Sequence, residues 1–222
     1  MEKLITLEDV RKNKDIRVYM ERGNDTLRAK GFTEHSFIHA ELVAKNAANI
    51  LKTLGYSERE QELARISGFM HDIGNVINRE DHAQSGALMA FRLLGDMGMD
   101  ADEIAIVMAA IGNHDEGTGT PVSPVSAALI LADKSDVRRS RVRNKDVANF
   151  DIHDRVNYSA TQSDIRVDNE RGEIILELKI DPELSSIMDY FEIFLERMVM
   201  NRRAASLLNM KFCLVINGTK LL

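Results

Sequence analysis

Histidine stands next to aspartate in the stretch GFMHDIGNVINREDHAQSGA, residues 68–87, where the pattern predicts the end of an apolar helix. His71 and Asp72 could cap that helix, pair as a buried acid and base, or bind a metal ion. Similar residues fall at the ends or on the inward faces of other predicted helices: His35, His39, His82, His114 and Asp133. Residues of this kind could act separately or as one site.

Imidazole and carboxylate groups together form the ligand set that proteins use for zinc, iron or manganese, whereas carboxylates alone would suit magnesium. A single histidine on an apolar face is more often a hydrogen-bonded core residue than a ligand, and Asp133 alone could face water. Burying these polar groups without partners would cost several kcal/mol, and a metal would satisfy all of them at once. His153 lies in a polar stretch and fits a surface position better.

The segments between these candidates show the periodicity of amphipathic helices. The pattern predicts one or two short charged helices within residues 1–30, and then a helix with Thr33 as N-cap that ends at Gly55. Ser57 and Glu60 form the capping-box pattern of a second helix. Three further helices are expected over about residues 83–94, from Asp100 to Asn113, and from Ser123 to Asp133.

The C-terminal part shows the alternation of β-strands instead. The predicted elements are strands over residues 164–168 and 173–180, a helix from Asp181, and a strand over residues 211–216. We therefore predict a mainly α fold. A helical bundle over residues 1–145 would be followed by a small β–β–α–β unit over residues 146–222 that packs on it.

The overall composition argues against several classes of protein. The 222 residues carry a formal net charge of −6, which argues against general nucleic-acid binding but allows a small anionic ligand in a local pocket. The single cysteine, Cys213, excludes a disulfide within the chain. The N-terminus lacks the apolar segment of a secretory signal, and no apolar run approaches the roughly 18–20 residues that span a membrane. We expect a cytoplasmic protein with no membrane partner.

The order of the candidate residues resembles the HD superfamily of metal-dependent phosphohydrolases. The signature of that superfamily is a histidine, a His-Asp doublet and a distant aspartate on a helical bundle. Here His39 lies in His-Ala-Glu-Leu-Val-Ala, the doublet is His71-Asp72, and Asp133 lies in Leu-Ala-Asp-Lys. The resemblance covers about residues 30–140 and leaves the C-terminal part unassigned.

Two more histidines match the members of the superfamily that hold two metals. His82 begins His-Ala-Gln-Ser-Gly-Ala, and His114 ends Ile-Gly-Asn-His. The resemblance then implies one or two divalent ions of iron, manganese, zinc, cobalt or nickel, with magnesium also allowed. If two ions bind, the resemblance implies that Asp72 bridges them. His35 would be a further ligand or would hydrogen-bond to one. The implied ligand set is His39, His71, Asp72, His82, His114 and Asp133.

The resemblance also implies hydrolysis of a phosphate ester or nucleotide by a metal-activated hydroxide. Asp72 would orient that hydroxide, and Asp115 or Glu116 would give a proton to the leaving oxygen. Many members carry lysine after the glycine of the doublet motif, where this chain has Asn75. The expected contacts to the substrate are Asn75, Asn113, Lys134 and Arg138.

Other interpretations remain open from the sequence. The basic cluster after Asp133, which ends in Arg143 and Lys145, could be a solvated charged face rather than part of a phosphate site. A few six-ligand relatives are di-iron oxygenases that act on a carbon substrate, and a nucleotide-binding sensor without catalysis is a third reading. The apolar helix after Asp181 could pack on the bundle or form a homodimer.

Overall fold

A computed structural model of the chain describes residues 4–144, 146 and 149–222. Within these residues the helices are α1 (Leu7–Lys12), α2 (Lys14–Ala29), α3 (Phe37–Thr53), α4 (Glu58–Met70), α5 (His82–Asp96), α6 (Ala101–Gly112), α7 (Pro124–Lys134), α8 (Ile152–Ser159) and α9 (Ile187–Leu207). The strands are β1 (Ala160–Asp168), β2 (Glu173–Ile180), β3 (Lys211–Ile216) and β4 (Thr219–Lys220). Short 3₁₀ turns cover Ile73–Val76 and Arg139–Arg141.

Helix α7 forms the centre of the bundle, as its almost wholly apolar sequence predicts. Residues from Val125 to Ala132 are buried, and α3, α4, α6 and α9 all pack against the helix. An apolar helix surface on every side requires neighbours on every side. Ser123 accepts a hydrogen bond from the Ser126 N–H, and Pro124 occupies the first turn, so the start of α7 agrees with the prediction.

The predicted start of α3 is wrong. The helix begins after Ser36, whose side chain accepts from the Ile38 N–H, and not after Thr33. The N–H of Glu34 instead donates to the carbonyl of Arg141 over 2.8 Å, which keeps this segment extended. His35 therefore lies before the helix.

The capping box predicted for α4 is confirmed. The Ser57 side chain accepts from the N–H of Glu60, and the Glu60 carboxylate accepts from the N–H of Ser57. This pair fixes where the helix begins, and the helix then runs to Met70 with its second half buried. The His-Asp doublet consequently falls immediately past its last turn.

The C-terminal part contains a four-stranded sheet in the order β1-β2-β3-β4. β1 and β2 are antiparallel, β2 and β3 are parallel, and α9 connects these two parallel strands. The predicted β–β–α–β order is confirmed, although α8 and β4 were not predicted. Helix α9 begins after Ser186 rather than at Asp181. The carbonyl of Asp181 accepts from the N–H groups of Leu184 and Ser185, and these bonds form a single turn before the helix.

Gly74 allows the His-Asp doublet to lie against the start of α5. A Cβ at this position would lie 2.0 Å from the carbonyl oxygen of His82 and 2.6 Å from the nitrogen of Gly86. A side chain would therefore push the 3₁₀ turn away from α5. The close approach brings His82 toward Asp72.

The predicted division at residue 145 stays a prediction. Buried side chains of both parts belong to one hydrophobic cluster, in which Leu131 of α7 and Phe194 of α9 are examples. Lys145 lies outside the described residues. No helix within the described residues is both long and apolar enough to cross a membrane.

Candidate metal centre

Five segments of the bundle bring histidine and aspartate side chains together. His39 lies in the first turn of α3, and the doublet follows α4. His82 is the first residue of α5, and His114 follows the end of α6. Asp133 comes from the last turn of α7, and the four histidine side chains are almost completely buried.

One ring nitrogen of each histidine is held by the surrounding protein. The Nδ1 atoms of His71 and His114 donate to carbonyl oxygens three residues earlier, over 2.8 and 2.6 Å. Carbonyls at the ends of α4 and α6 lack helical partners and are available for such bonds. The Nδ1 atom of His82 donates to the carbonyl of Arg79 over 2.9 Å. A carbonyl only accepts hydrogen bonds, so Nδ1 carries a hydrogen and Nε2 is the ring atom that faces the centre.

The Nε2 atoms face one another in pairs. His39 and His71 bring theirs to 3.2 Å, and His82 and His114 bring theirs to 3.1 Å. Two lone pairs at this distance repel each other unless a cation or a proton lies between them. The donor set therefore fits a bound metal ion.

Asp72 lies between the two histidine pairs. Its Oδ2 atom is 3.2 Å from Nε2 of His71, and its Oδ1 atom is 3.6 Å from Nε2 of His82. Oδ2 is buried and has no hydrogen-bond partner. A carboxylate oxygen left without a partner costs free energy, and a metal ion would satisfy it.

The described residues form three groups whose ligand atoms all lie within 4.8 Å of one another. Asp72 belongs to two of these groups, and its two oxygens face different histidine pairs. His71 and His114 are also shared between groups. The groups are His39–His71–Asp72, His71–His114–Asp133, and Asp72–His82–His114.

The electrostatics of the centre keep its carboxylates ionised. Burial opposes ionisation of Asp72, but the neighbouring His71 and other imidazoles outweigh it and hold the pKa of Asp72 well below its usual value. Burial likewise opposes a charge on His71, but the carboxylates of Asp72 and Asp133 raise the pKa of this imidazole to about 10. At neutral pH a proton therefore lies on Nε2 of His71, and a bound metal ion would displace it. Burial holds the pKa of His114 well below its usual value, so that ring stays neutral.

Asp133 presents one oxygen to the histidines and the other to Lys134. Its Oδ1 atom is 3.3 Å from Nε2 of His39, whereas its Oδ2 atom is 2.8 Å from the Lys134 ammonium. Lys134 is buried and also contacts Glu116 over 3.2 Å, and Glu116 accepts from Arg197 of α9 over 2.7 Å. Side chains of alternating charge thus connect α9 to the centre. Lys134, a predicted substrate contact, is a member of this series of ion pairs.

Asp136 is a functional candidate that the sequence did not reveal. Its Oδ2 atom accepts from Nδ1 of His39 over 2.7 Å, so it orients that ring as the carbonyls orient the other three. Arg138 and Arg141 both contact the buried Asp136 carboxylate. The predicted substrate contact Arg138 is therefore placed behind His39. The only signal in the sequence was a carboxylate three residues after Asp133.

The family model for the HD domain matches residues 36–155, more than half of the chain. This chain belongs to the HD family. An uncharacterized protein of Methanocaldococcus jannaschii is 25% identical over an alignment of 159 residues. The match covers 61% of this chain and 61% of that protein, so it spans less than two thirds of the relative. A predicted HD superfamily hydrolase from an uncultured Thermotogales bacterium has a crystal structure that covers 60% of this chain and 75% of its own, with 26% identity and a TM-score of 0.46.

Asn75, three residues after Asp72, carries no charge. The positive charge near the doublet comes from an arginine. Asn75 donates to Oδ1 of Asp72 over 2.8 Å and so orients the carboxylate. Arg79, four residues later, donates to Nε2 of His82 over 3.1 Å and lies 3.6 Å from Asp72. Its side chain is 28% exposed, so a ligand can reach it. Sequence reasoning missed Arg79 because only the position after the glycine was considered.

Two other predicted residues lie at the edge of the HD centre. Asp115 is 31% exposed and lies 4.0 Å from Arg79, so the structure places its carboxylate beside that guanidinium. The amide of Asn113 donates to the carbonyl of Ala109 in its own helix over 2.9 Å. The structure thus brings Asp115 close to Arg79, whereas the amide nitrogen of Asn113 is engaged by the backbone.

His35 is near the HD ligands but outside the three ligand groups. Its Nδ1 atom donates to the carbonyl of Thr33 over 2.8 Å, and its ring centroid is 5.7 Å from that of His39. It lines a narrow cavity that also reaches Asp72 and Asn75. Burial holds the pKa of His35 well below its usual value, so its ring is neutral.

Proposed function

We propose that the protein is a metal-dependent phosphohydrolase that cleaves a phosphate ester or a nucleotide. The observation that carries this proposal is the arrangement of two pairs of inward-facing Nε2 atoms around the buried, unpartnered Oδ2 of Asp72. This arrangement supports a cation at its centre. Membership in the HD family then favours a phosphorylated substrate.

Six side chains would hold the metal: His39, His71, Asp72, His82, His114 and Asp133. Four imidazoles favour iron, manganese, zinc, cobalt or nickel over magnesium, which prefers oxygen ligands. Asp72 belongs to ligand groups on both sides, which supports two ions with this carboxylate as the bridge. When bound, a divalent ion lowers the pKa of a coordinated water and neutralises phosphoryl oxygens.

Arg79 would bind a phosphoryl oxygen of the substrate. Its guanidinium now donates to the lone pair of His82, which is also the lone pair that this residue would offer to a metal. When a metal takes that lone pair, the guanidinium becomes available to an anion a few ångströms away. Guanidinium groups suit phosphate because they can donate two parallel hydrogen bonds.

Asp115 would transfer a proton to the leaving oxygen. The other candidate, Glu116, lies between Lys134 and Arg197. Burial opposes ionisation of Glu116, but these two cations lower its pKa to about 2. Glu116 is therefore engaged by two cations, whereas the Asp115 carboxylate is partly exposed at the edge of the centre, where a substrate can reach it.

A screen of nucleotides and phosphate esters, with manganese, iron or cobalt added to the purified protein, tests this function. We expect hydrolysis by the wild type, loss of hydrolysis in Asp133→Ala, and wild-type rates in the matched control His153→Ala, whose side chain is exposed. Release of phosphate by Asp133→Ala at the wild-type rate would contradict the assignment. Bound iron with a mixed-valence EPR signal and no hydrolysis would instead favour the oxygenase.

The partners follow from the same proposal. A small phosphorylated molecule or nucleotide is the expected ligand, and the charge balance gives no reason to expect general nucleic-acid binding. A homodimer through α9 stays a prediction, with Met188 and Leu195 exposed on that helix. Size-exclusion chromatography of the wild type and of Leu195→Glu would test it, because a charge in the interface would shift a dimer to the monomer volume.

A further inference from the structure

A cleft of about 720 Å³ lies between the end of α2, the segment before α3 and the segment after α7. We call it the arginine cleft, and its polar lining includes Asn24, Arg28, Glu34, Arg138 and Arg143. Three guanidinium groups thus face one carboxylate. The cleft carries a local positive charge on a chain whose net charge is negative.

Two of the three guanidinium groups have no carboxylate partner. Arg138 is paired with the buried Asp136. In the described part of the chain, no carboxylate lies within ion-pair distance of Arg28 or Arg143. Burial, together with the like charge of Arg28, lowers the pKa of Arg143. Two neighbouring cations repel each other, and an anion bound between them would offset that repulsion.

Arg143 also has an unused donor. Its Nε atom is buried and has no hydrogen-bond partner, although one of its terminal nitrogens donates to Oδ1 of Asn24. A buried donor without an acceptor costs free energy, which a bound oxyanion would recover. Glu34 does not fill this role, since its Oε1 accepts from the N–H of Ser36 and its Oε2 lies 3.9 Å from Arg138.

The arginine cleft adjoins the metal centre. Asn24 and Ser36 line both the cleft and the narrow cavity that reaches His39 and Asp72. The side chain of Asn24 accepts from the N–H of His35 on one side and from Arg143 on the other. Asn24 and Ser36 would therefore border both a ligand at the metal centre and an anion in the cleft.

We propose that the arginine cleft binds a second phosphate group of the substrate, whose scissile phosphate lies at the metal centre. This inference rests on the proposed phosphohydrolase function and narrows its substrate class to compounds with two or more phosphate groups, such as nucleoside polyphosphates or bisphosphates. Arg28 and Arg143 would donate to the second phosphate. The side chains that would hold the metal would not contact this second phosphate.

Isothermal titration calorimetry with pyrophosphate and with inorganic phosphate tests the cleft directly. The full chain should bind pyrophosphate more tightly than phosphate. Arg28→Gln and Arg143→Gln should each weaken pyrophosphate binding by about tenfold, with little effect on phosphate, because each removes one charged donor. Arg92→Gln is the matched control, since Arg92 is an exposed arginine paired with Asp96 on α5.

Equal affinity of wild type and both glutamine variants for pyrophosphate would overturn the proposal. If Arg143→Gln does not fold by circular dichroism, the exposed Arg28→Gln decides alone, and Arg143→Lys should show an intermediate affinity. In assays of hydrolysis, the two glutamine substitutions should raise the KM for a nucleoside diphosphate and leave the KM for the nucleoside monophosphate unchanged. If no phosphate compound is hydrolysed, the proposed function fails, whereas the calorimetry still decides whether the cleft binds an anion.

Discussion

The metal centre and the arginine cleft adjoin each other and differ in which charges lack a partner. In the centre, Nδ1 of each histidine is held by the surrounding protein, the Nε2 atoms face one another in pairs, and the buried Oδ2 of Asp72 has no donor. In the cleft, two guanidinium groups have no carboxylate partner among the described residues, and the buried Nε of Arg143 has no acceptor. One region thus lacks a cation and the other lacks an anion.

This difference indicates what each region would bind. Buried polar groups in folded proteins are almost always satisfied, so a group without a partner points to a ligand of the complementary kind. A metal ion would satisfy the centre, and a phosphate would satisfy the cleft. A metal-bound phosphate compound with a second phosphate would satisfy both regions together.

The largest expected effect comes from Asp72→Asn. The amide would keep the shape of the side chain but remove the charge shared by two ligand groups. We expect a loss of metal affinity greater than the roughly 10–100-fold typical of residues that only orient a ligand. Titration with Co²⁺, followed by visible absorption, measures it, and affinity within threefold of the wild type would show that Asp72 is not a ligand.

Asp136→Asn should have an intermediate effect. The neutral amide would hold His39 less firmly through Nδ1 and leave Arg138 and Arg141 without their buried carboxylate. We expect metal affinity to fall about 10–100-fold. The same Co²⁺ titration measures this affinity, and Asp164→Asn, at an exposed position, is the control. An unchanged affinity would mean that Asp136 serves the packing of the arginines and not the ring of His39.

The smallest expected effect on the centre comes from Arg197→Ala. Arg197 acts through Glu116 and Lys134 on the outer oxygen of Asp133, and its side chain is partly exposed, so the effect is screened. We expect metal affinity to fall by about threefold and the Co²⁺ spectrum to shift, with recovery in Arg197→Lys. Arg203→Ala, an exposed position on the same helix, should change neither. If the wild type and all three variants gave identical Co²⁺ spectra, Arg197 of α9 would have no effect on the centre.

The sequence could indicate the candidate ligand residues because each lies near a helix terminus. Capping residues such as Ser57 and Ser123 mark the starts of α4 and α7, and apolar periodicity marks the ends. A prediction of helix ends therefore also located His71, His114 and Asp133. The order of these residues along the chain was enough to suggest the family.

The residues that were missed interact across space. No periodicity relates Asp136 to His39 or Arg197 to Glu116, because each pair joins elements that are distant in the chain. The start of α3 was misplaced for a similar reason, since a backbone hydrogen bond to Arg141 keeps the preceding segment extended. Local propensity does not contain such tertiary contacts.

Metal content of the purified protein, by elemental analysis, tests the central claim most directly. The account predicts up to two transition-metal ions per chain in the wild type and fewer in both His71→Ala and His82→Ala, with wild-type content in the exposed control His153→Ala. Full metal content in His71→Ala would contradict it, because this imidazole belongs to two of the three ligand groups.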